Sequence, residues 1–202
     1  MKADPDIQRV GVFGGTFDPV HKGHISIVHS FLRSGLIDAV WVTPTPTPPF
    51  KTRKALAAYA HRIAMVELAF KDSKRVIVSD FETRIKGKSY TYKTLNNLRE
   101  QYTHLSWYLC IGSDNLEVFH KWQNFEELIN ETGIIVAARP GYKTSNVDKR
   151  VLPKVEFVEH DPIDISSTQI RNELKNIGYS DHIIPEVLEY IRDHNLYNLK
   201  QS

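Results

Sequence analysis

The chain is 202 residues long, 41% hydrophobic and 25% charged, with a formal net charge of +2. That is enough apolar chain to bury a core without disulfides, and the charge balance is too mild for a basic nucleic-acid arm or a disordered acidic tail. The single cysteine, Cys110, excludes an intramolecular disulfide, a thiolate zinc centre and a CxxC redox pair, and its flanks (Trp107, Tyr108, Leu109, Ile111) mark it as a core thiol.

Residues 1–6 lack the apolar stretch of a secretory signal, and no apolar run approaches the ~20 residues of a membrane span. A single domain over 1–202 is expected, cytoplasmic, with neither membrane nor nucleic-acid partner; a homo-oligomer is left open. The predicted elements begin with a strand at 9–13, rich in Val and Phe. A helix follows, with Ile25, Ile27, Val28, Phe31 and Leu32 on its apolar face. A strand at 39–43 runs into Thr43-Pro44-Thr45-Pro46-Thr47-Pro48-Pro49, read as an ordered loop because a helical pattern over 56–71 starts soon after it. Strands at 75–79 and 105–111 flank a helix marked by Leu95 and Leu98, and a helix marked by Phe125, Leu128 and Ile129 precedes a strand at 133–138. The last strand is 155–158, and a C-terminal helix at 185–194 has Pro in its first turn. Strands alternating with helices imply βαβ units: an α/β fold of Rossmann-like, doubly wound type, with a mainly parallel sheet and helices on both faces.

The chemically distinctive residues cluster just beyond these strands. Gly14-Gly15-Thr16-Phe17-Asp18-Pro19-Val20-His21-Lys22-Gly23-His24 follows the first strand, Gly112-Ser113-Asp114 the fourth, Arg139-Pro140-Gly141 the fifth, and Asp164-Ile165-Ser166-Ser167-Thr168-Gln169-Ile170-Arg171 comes soon after the sixth. Open α/β sheets bind ligands beyond the carboxyl ends of their strands, so these segments are expected to converge on one crevice. Neither a P-loop nor GxGxxG is present. Gly14-Gly15 is read as a sharp turn allowing close approach to a ligand, and Gly23 as room for a bulky group. His21 and His24, three apart at a helix start, can share a face and would suit a polyphosphate. A zinc pair is the weaker alternative, because only Asp18 stands near as a third ligand. Of Ser166, Ser167 and Thr168, one is expected to cap a helix. Together with Arg171, one turn on, they form a phosphate cradle.

His21-Lys22-Gly23-His24 resembles the HxGH signature of the nucleotidylyltransferase superfamily. The longer string GGTFDPVHKGH, together with ISSTQIR, resembles bacterial nicotinate-nucleotide adenylyltransferases over essentially the whole chain. Ser89-Tyr90-Thr91-Tyr92-Lys93-Thr94-Leu95 is similar to that family's SYTxxTL segment, Gly112-x-Asp114 with Trp122 to its GxD…W element, Arg139-Pro140-Gly141-Tyr142 to its RPGY turn, and 188–197 to its closing helix. The chain departs from the pattern at Phe50, where members usually carry His, and at Lys93, where an acid or small polar residue is common. Related families fit less well: phosphopantetheine adenylyltransferases typically replace the first signature histidine, and cytidylyltransferases carry an RTxGISTT-type element.

The resemblance implies transfer of the adenylyl group of ATP to nicotinate mononucleotide, with Mg²⁺ on the ATP phosphates and no metal held by protein ligands. It implies that His24 steadies the α-phosphate and that His21, Thr168 and Arg171 contact the polyphosphate. Gly14, Gly15, Thr16 and Phe17 would line the nucleotide through their backbone. Gly112, Asp114, Arg139, Ser166 and Ser167 would complete the ATP side. Thr16, Lys51, Thr91 and Trp122 would take the acceptor, with Trp122 stacked on its ring and Thr91 near its carboxylate. The stretch 143–154 is either a flap over ATP or a connection.

Overall fold

The structure is a computed structural model and describes residues 7–46, 57–85 and 90–200. Its centre is a six-stranded sheet in the order β3-β2-β1-β4-β5-β6, with every neighbouring pair parallel. The strands are β1 (Arg9–Gly15), β2 (Ala39–Pro44), β3 (Val76–Val78), β4 (Ser106–Gly112), β5 (Gly133–Ala138) and β6 (Val155–Glu159). All the strands read from the sequence are present. β1 runs two residues further than its apolar pattern, because Gly14 and Gly15 stay in register with Thr43 and Pro44 of β2. β3 is shorter than expected.

Alternation along the strands divides the core. Phe13, Val40, Val42, Cys110, Ile135 and Ala137 face one layer, while Val12, Trp41, Leu109, Ile111, Ile134 and Val136 face the other. The helices α1 (Lys22–Arg33), α2 (Tyr59–Phe70), α6 (Ser167–Ile177) and α7 (Pro185–Asp193) cover the first face through Val28, Phe31, Met65, Ile170 and Val187. α3 (Thr91–Gln101), α4 (Ser113–Glu117) and α5 (Phe125–Glu131) cover the second through Leu95, Leu98, Leu116 and Leu128. This is the doubly wound arrangement expected. α4, five residues long, is too short to leave a periodic trace in the sequence.

The stretch 143–154 is a packed connection. Val147 and Val151 are buried in the second core, and Arg150 pairs with Asp148 and Glu126 while lying over the ring of Phe125. Cys110 is buried as expected, and its surroundings push the thiol far up from its ordinary pKa.

The first core layer packs closely at Gly11, where a Cβ would stand 2.5 Å from Cys110 Sγ and 2.6 Å from Ile37 Cδ1. Gly11→Ala should therefore overpack the centre of the sheet and cost about 1–3 kcal/mol. A lowered denaturation midpoint with unchanged far-ultraviolet circular dichroism would show it.

Candidate active site

The strand order reverses between β1 and β4, and the crevice of a doubly wound sheet opens there. A cleft of about 340 Å³ lies at that point. Its floor is Val12–Gly15 of β1 and Leu109–Ile111 of β4, and its walls include Thr16, Thr43, Thr45, Glu82, Thr94 and Asn115. Thr91 and Trp122, the expected acceptor residues, both line it. Trp122 is half-buried with its ring 5.1 Å from that of Phe119, which leaves part of the indole to the cleft. Thr91 opens α3, whose N-cap residue Tyr90 offers no side-chain bond to the helix. The leading N–H groups of such a helix favour an anion. Among the described residues, none that lines it is Lys, Arg or His.

The signature residues follow on the loop that leaves β1, and none of them lines the cleft. His21 is the N-cap of α1, and its backbone N–H donates to His24 Nδ1 at 3.3 Å. That bond makes Nδ1 the acceptor, so the hydrogen of a neutral His24 sits on Nε2. The two imidazoles do share a face: they stack with centroids 3.7 Å apart. His21 is buried, and its Nδ1 has no hydrogen-bond partner among the described residues. Burial, with His182 nearby, lowers its pKa to about 4.

At the start of α6 the three hydroxyls divide their work. Ser166 is the cap, accepting from the Gln169 N–H at 3.2 Å. Ser167 donates to the Pro19 carbonyl at 3.0 Å, and Thr168 accepts from Arg171 at 3.0 Å. Arg171 also donates to the Asp18 carbonyl at 2.7 Å. The ISSTQIR segment is thereby fastened to the signature loop 148 to 153 residues away in sequence.

Several expectations are corrected here. Gly14 and Gly15 make no turn. They end β1, and the positive φ falls on Phe17, at 50°. A non-glycine residue held there is strained, which is a feature of functional loops. Gly15 is needed because a Cβ would come within 2.9 Å of the Phe17 ring. Gly23 makes room for a protein group: its absent Cβ would sit 3.0 Å from His21 Nδ1. The Phe17 side chain is core, edge-on to His24 at 4.9 Å. Asp18 is a fastening point, accepting from Ala57 N–H at 3.2 Å and from the Tyr197 hydroxyl at 2.8 Å. Gly112 is the N-cap of α4, and Asp114 is exposed in its first turn. Arg139 is exposed at the head of a turn closed by the Tyr142 N–H on its carbonyl, with Gly141 at φ 75°, a type II pattern. Gly112, Asp114 and Arg139 do not line the cleft. Lys51 and Phe50 lie outside the described residues.

Sequence reasoning missed Arg62. Its guanidinium is 1% exposed and donates to the carbonyls of Thr16 (2.7 Å), Thr45 (3.0 Å), Ala57 (3.3 Å) and Pro46 (3.5 Å). The available signal was a cation three and four residues before Met65 and Val66, on the apolar side of α2.

A family model described as cytidylyltransferase-like matches residues 12–173. A probable nicotinate-nucleotide adenylyltransferase of Oceanobacillus iheyensis is 35% identical, over 97% of this chain and 100% of that protein. The chain belongs to the nicotinate-nucleotide adenylyltransferase family. A probable nicotinate-nucleotide adenylyltransferase of Neisseria meningitidis serogroup B is 37% identical, over 95% of this chain and 99% of its own length. Among solved structures, Plasmodium falciparum nicotinic acid mononucleotide adenylyltransferase complexed with NaAD superposes with a TM-score of 0.79 at 23% identity, covering 96% of this chain and 98% of that one. At that identity the likeness shows the fold. Among the described residues, no helix is long and apolar enough to cross a membrane.

The depressed His21 sets a pH dependence within this adenylyltransferase. The unfolded chain takes up the proton near the ordinary value of 6.5, whereas the folded chain waits until about 4. Stability rises with pH wherever the unfolded state binds more protons. The His21 contribution is therefore full above 6.5 and is lost as pH falls from 6.5 to about 4. Denaturation midpoints should fall across that window, and His21→Asn should flatten the decline. His160, also depressed by burial, acts in the same sense, so the difference between the two proteins isolates His21.

Proposed function

We propose that the chain transfers the adenylyl group of ATP to nicotinate mononucleotide, giving nicotinate adenine dinucleotide and pyrophosphate. The observation that carries this is the single loop after β1. It has a cleft with aromatic and hydroxyl walls on one side and the stacked His21 and His24, with Arg171, on the other. Two nucleotides laid end to end across that loop would bring their phosphates together at its centre. Relatives matching nearly the full length carry the name of that reaction.

The acceptor phosphate is its own nucleophile, largely dianionic near neutral pH because its second pKa is about 6. No side chain need take a proton. The work left is alignment for in-line displacement at the α-phosphorus and stabilisation of the charge that shifts there. His24 presents its Nε2–H at the opening of α1, where anions are favoured. His21, neutral at pH 7, supplies a hydrogen bond rather than a charge. Arg171 supplies the fixed charge, with Thr168 and the first N–H groups of α6 beside it. Gly112, Asp114 and Arg139 would extend the ATP side, and Gly14 to Phe17 would contribute backbone groups. Among the described residues no three His, Cys, Asp or Glu side chains converge to hold a metal. Mg²⁺ would accordingly ride on the ATP phosphates and water, neutralising phosphate charge when bound.

On the acceptor side, the donors that the described cleft residues would offer a nicotinate carboxylate are neutral, the hydroxyl of Thr91 and the leading N–H groups of α3. An amide in that place turns an NH₂ toward a donor. Such a mismatch costs about 1–3 kcal/mol, roughly tenfold to over a hundredfold.

The deciding experiment is pyrophosphate release from ATP with each acceptor in turn. Nicotinate mononucleotide should give a higher kcat/KM than nicotinamide mononucleotide, and phosphopantetheine should give no turnover. An equal or reversed preference between the two mononucleotides would mean that the donors at α3 are not aimed at a carboxylate. His24→Ala should lower kcat by ~10²–10³ with little change in the KM for ATP. Unchanged turnover of that variant would remove His24 from the reaction.

A further inference from the structure

The loop that carries the proposed chemistry is held from the far end of the chain. Tyr197 donates its hydroxyl to Asp18 Oδ1 at 2.8 Å, and the same oxygen accepts the Ala57 N–H at 3.2 Å. Asp18 is 5% exposed. A carboxylate that deep holds its place through its donors.

Two further contacts tie Asp18 to the site. Its carbonyl receives the Arg171 guanidinium, and its neighbour Phe17 lies edge-on to the His24 ring. A shift of Asp18 would therefore move a contact of His24 and one of Arg171, two of the residues assigned to the phosphates. The segment that delivers the phenol is itself unusual: Asn195, Tyr197 and Asn198 all have positive φ, at 49°, 62° and 52°. Non-glycine residues persist there only when their surroundings over-determine them. Burial and the adjacent Asp18 carboxylate push the phenol pKa far up, which keeps it a donor.

We propose that Tyr197 is a positioning residue for the signature loop, its phenol fixing Asp18 and through it Phe17, His24 and Arg171. The kinetic part of this proposal rests on the adenylyl-transfer reading; the structural part does not.

The test compares the full-length wild type with Tyr197→Phe and Tyr190→Phe. Tyr190 is the control because its hydroxyl also fastens the C-terminal segment, but to α2, at 3.0 Å to His61 Nδ1. Measured well below the melting temperature, Tyr197→Phe should lower kcat about tenfold and leave both KM values within about twofold. Hydrogen–deuterium exchange of the backbone amides at 16–21 should also speed up. Tyr190→Phe should lower the melting temperature and change neither kcat nor the exchange at 16–21.

Wild-type kcat and wild-type exchange in Tyr197→Phe would overturn the proposal. So would a Tyr190→Phe variant that reproduces both changes, since that is general loosening. If Tyr197→Phe does not fold, Asp18→Asn takes its place. The variant keeps an acceptor oxygen but loses the charge behind the bond, so it should show smaller changes of the same kind; unchanged exchange and kcat there would again overturn the proposal. If the wild type releases no pyrophosphate with nicotinate mononucleotide, the reaction assignment fails, and the exchange comparison still decides the role of Tyr197.

Discussion

One buried guanidinium holds the mouth of the sheet together. The segments leaving β1 and β2 run past the last ladder bonds, so their carbonyls need donors from elsewhere. Arg62 supplies them from the side of α2, reaching Thr16, Thr45, Pro46 and Ala57 with one planar group. A lysine ammonium has neither the number of donors nor the fork to do this. Burial disfavours the charge, and the nearby Asp18 offsets part of that cost. Thr16 and Thr45 are both walls of the cleft, so the width of the cleft follows from where Arg62 stands.

The two halves of the site are built on different principles. The cleft rests on sheet ends, where register fixes Gly14 against Thr43 and Gly15 against Pro44. Among the described residues its lining has hydroxyls, aromatic rings and the Glu82 carboxylate, but no cation. The phosphate side is assembled from helix openings and long-range hydrogen bonds, and it holds the imidazoles and Arg171. Among the described residues the fixed positive charge of Arg171 thus stands on the side proposed for the phosphates, while ring recognition in the proposed reading would use shape and neutral donors. The neutral state of His21 belongs to the same division: its ring is buried and stacks 3.7 Å from His24, and burial disfavours a charge on it.

Most of the scaffold was legible in the sequence because short Val- and Ile-rich runs separated by helical periodicity leave few topologies open. Convergence of the Gly14–His24 and Ser166–Arg171 segments followed from the same rule. The purpose of individual glycines was not legible. A sequence shows that a Cβ is missing; only the fold shows that the Phe17 ring fills the space at Gly15 and that the His21 ring fills it at Gly23. Arg62 was visible as a charge on an apolar face, but its partners lie 5 to 46 residues away and are backbone atoms, which carry no sequence signal. Tyr197 and Asp18, separated by 179 positions, were beyond any local pattern.

That separation bears on the order in which the molecule comes into being. On the ribosome the signature loop, α1 and the first strands emerge early, and domains fold as their chain is delivered. Asp18 must then wait for Arg171, which fastens its carbonyl, and for Tyr197, which fastens its carboxylate. Contacts of such span are slow to close and are made late. A chain cut short before α6 therefore carries His21 to His24 and all six strands, yet lacks both clasps on the loop after β1. Such a chain would hold the loop without the contacts that order it, because those contacts come from residues 153 and 179 positions downstream.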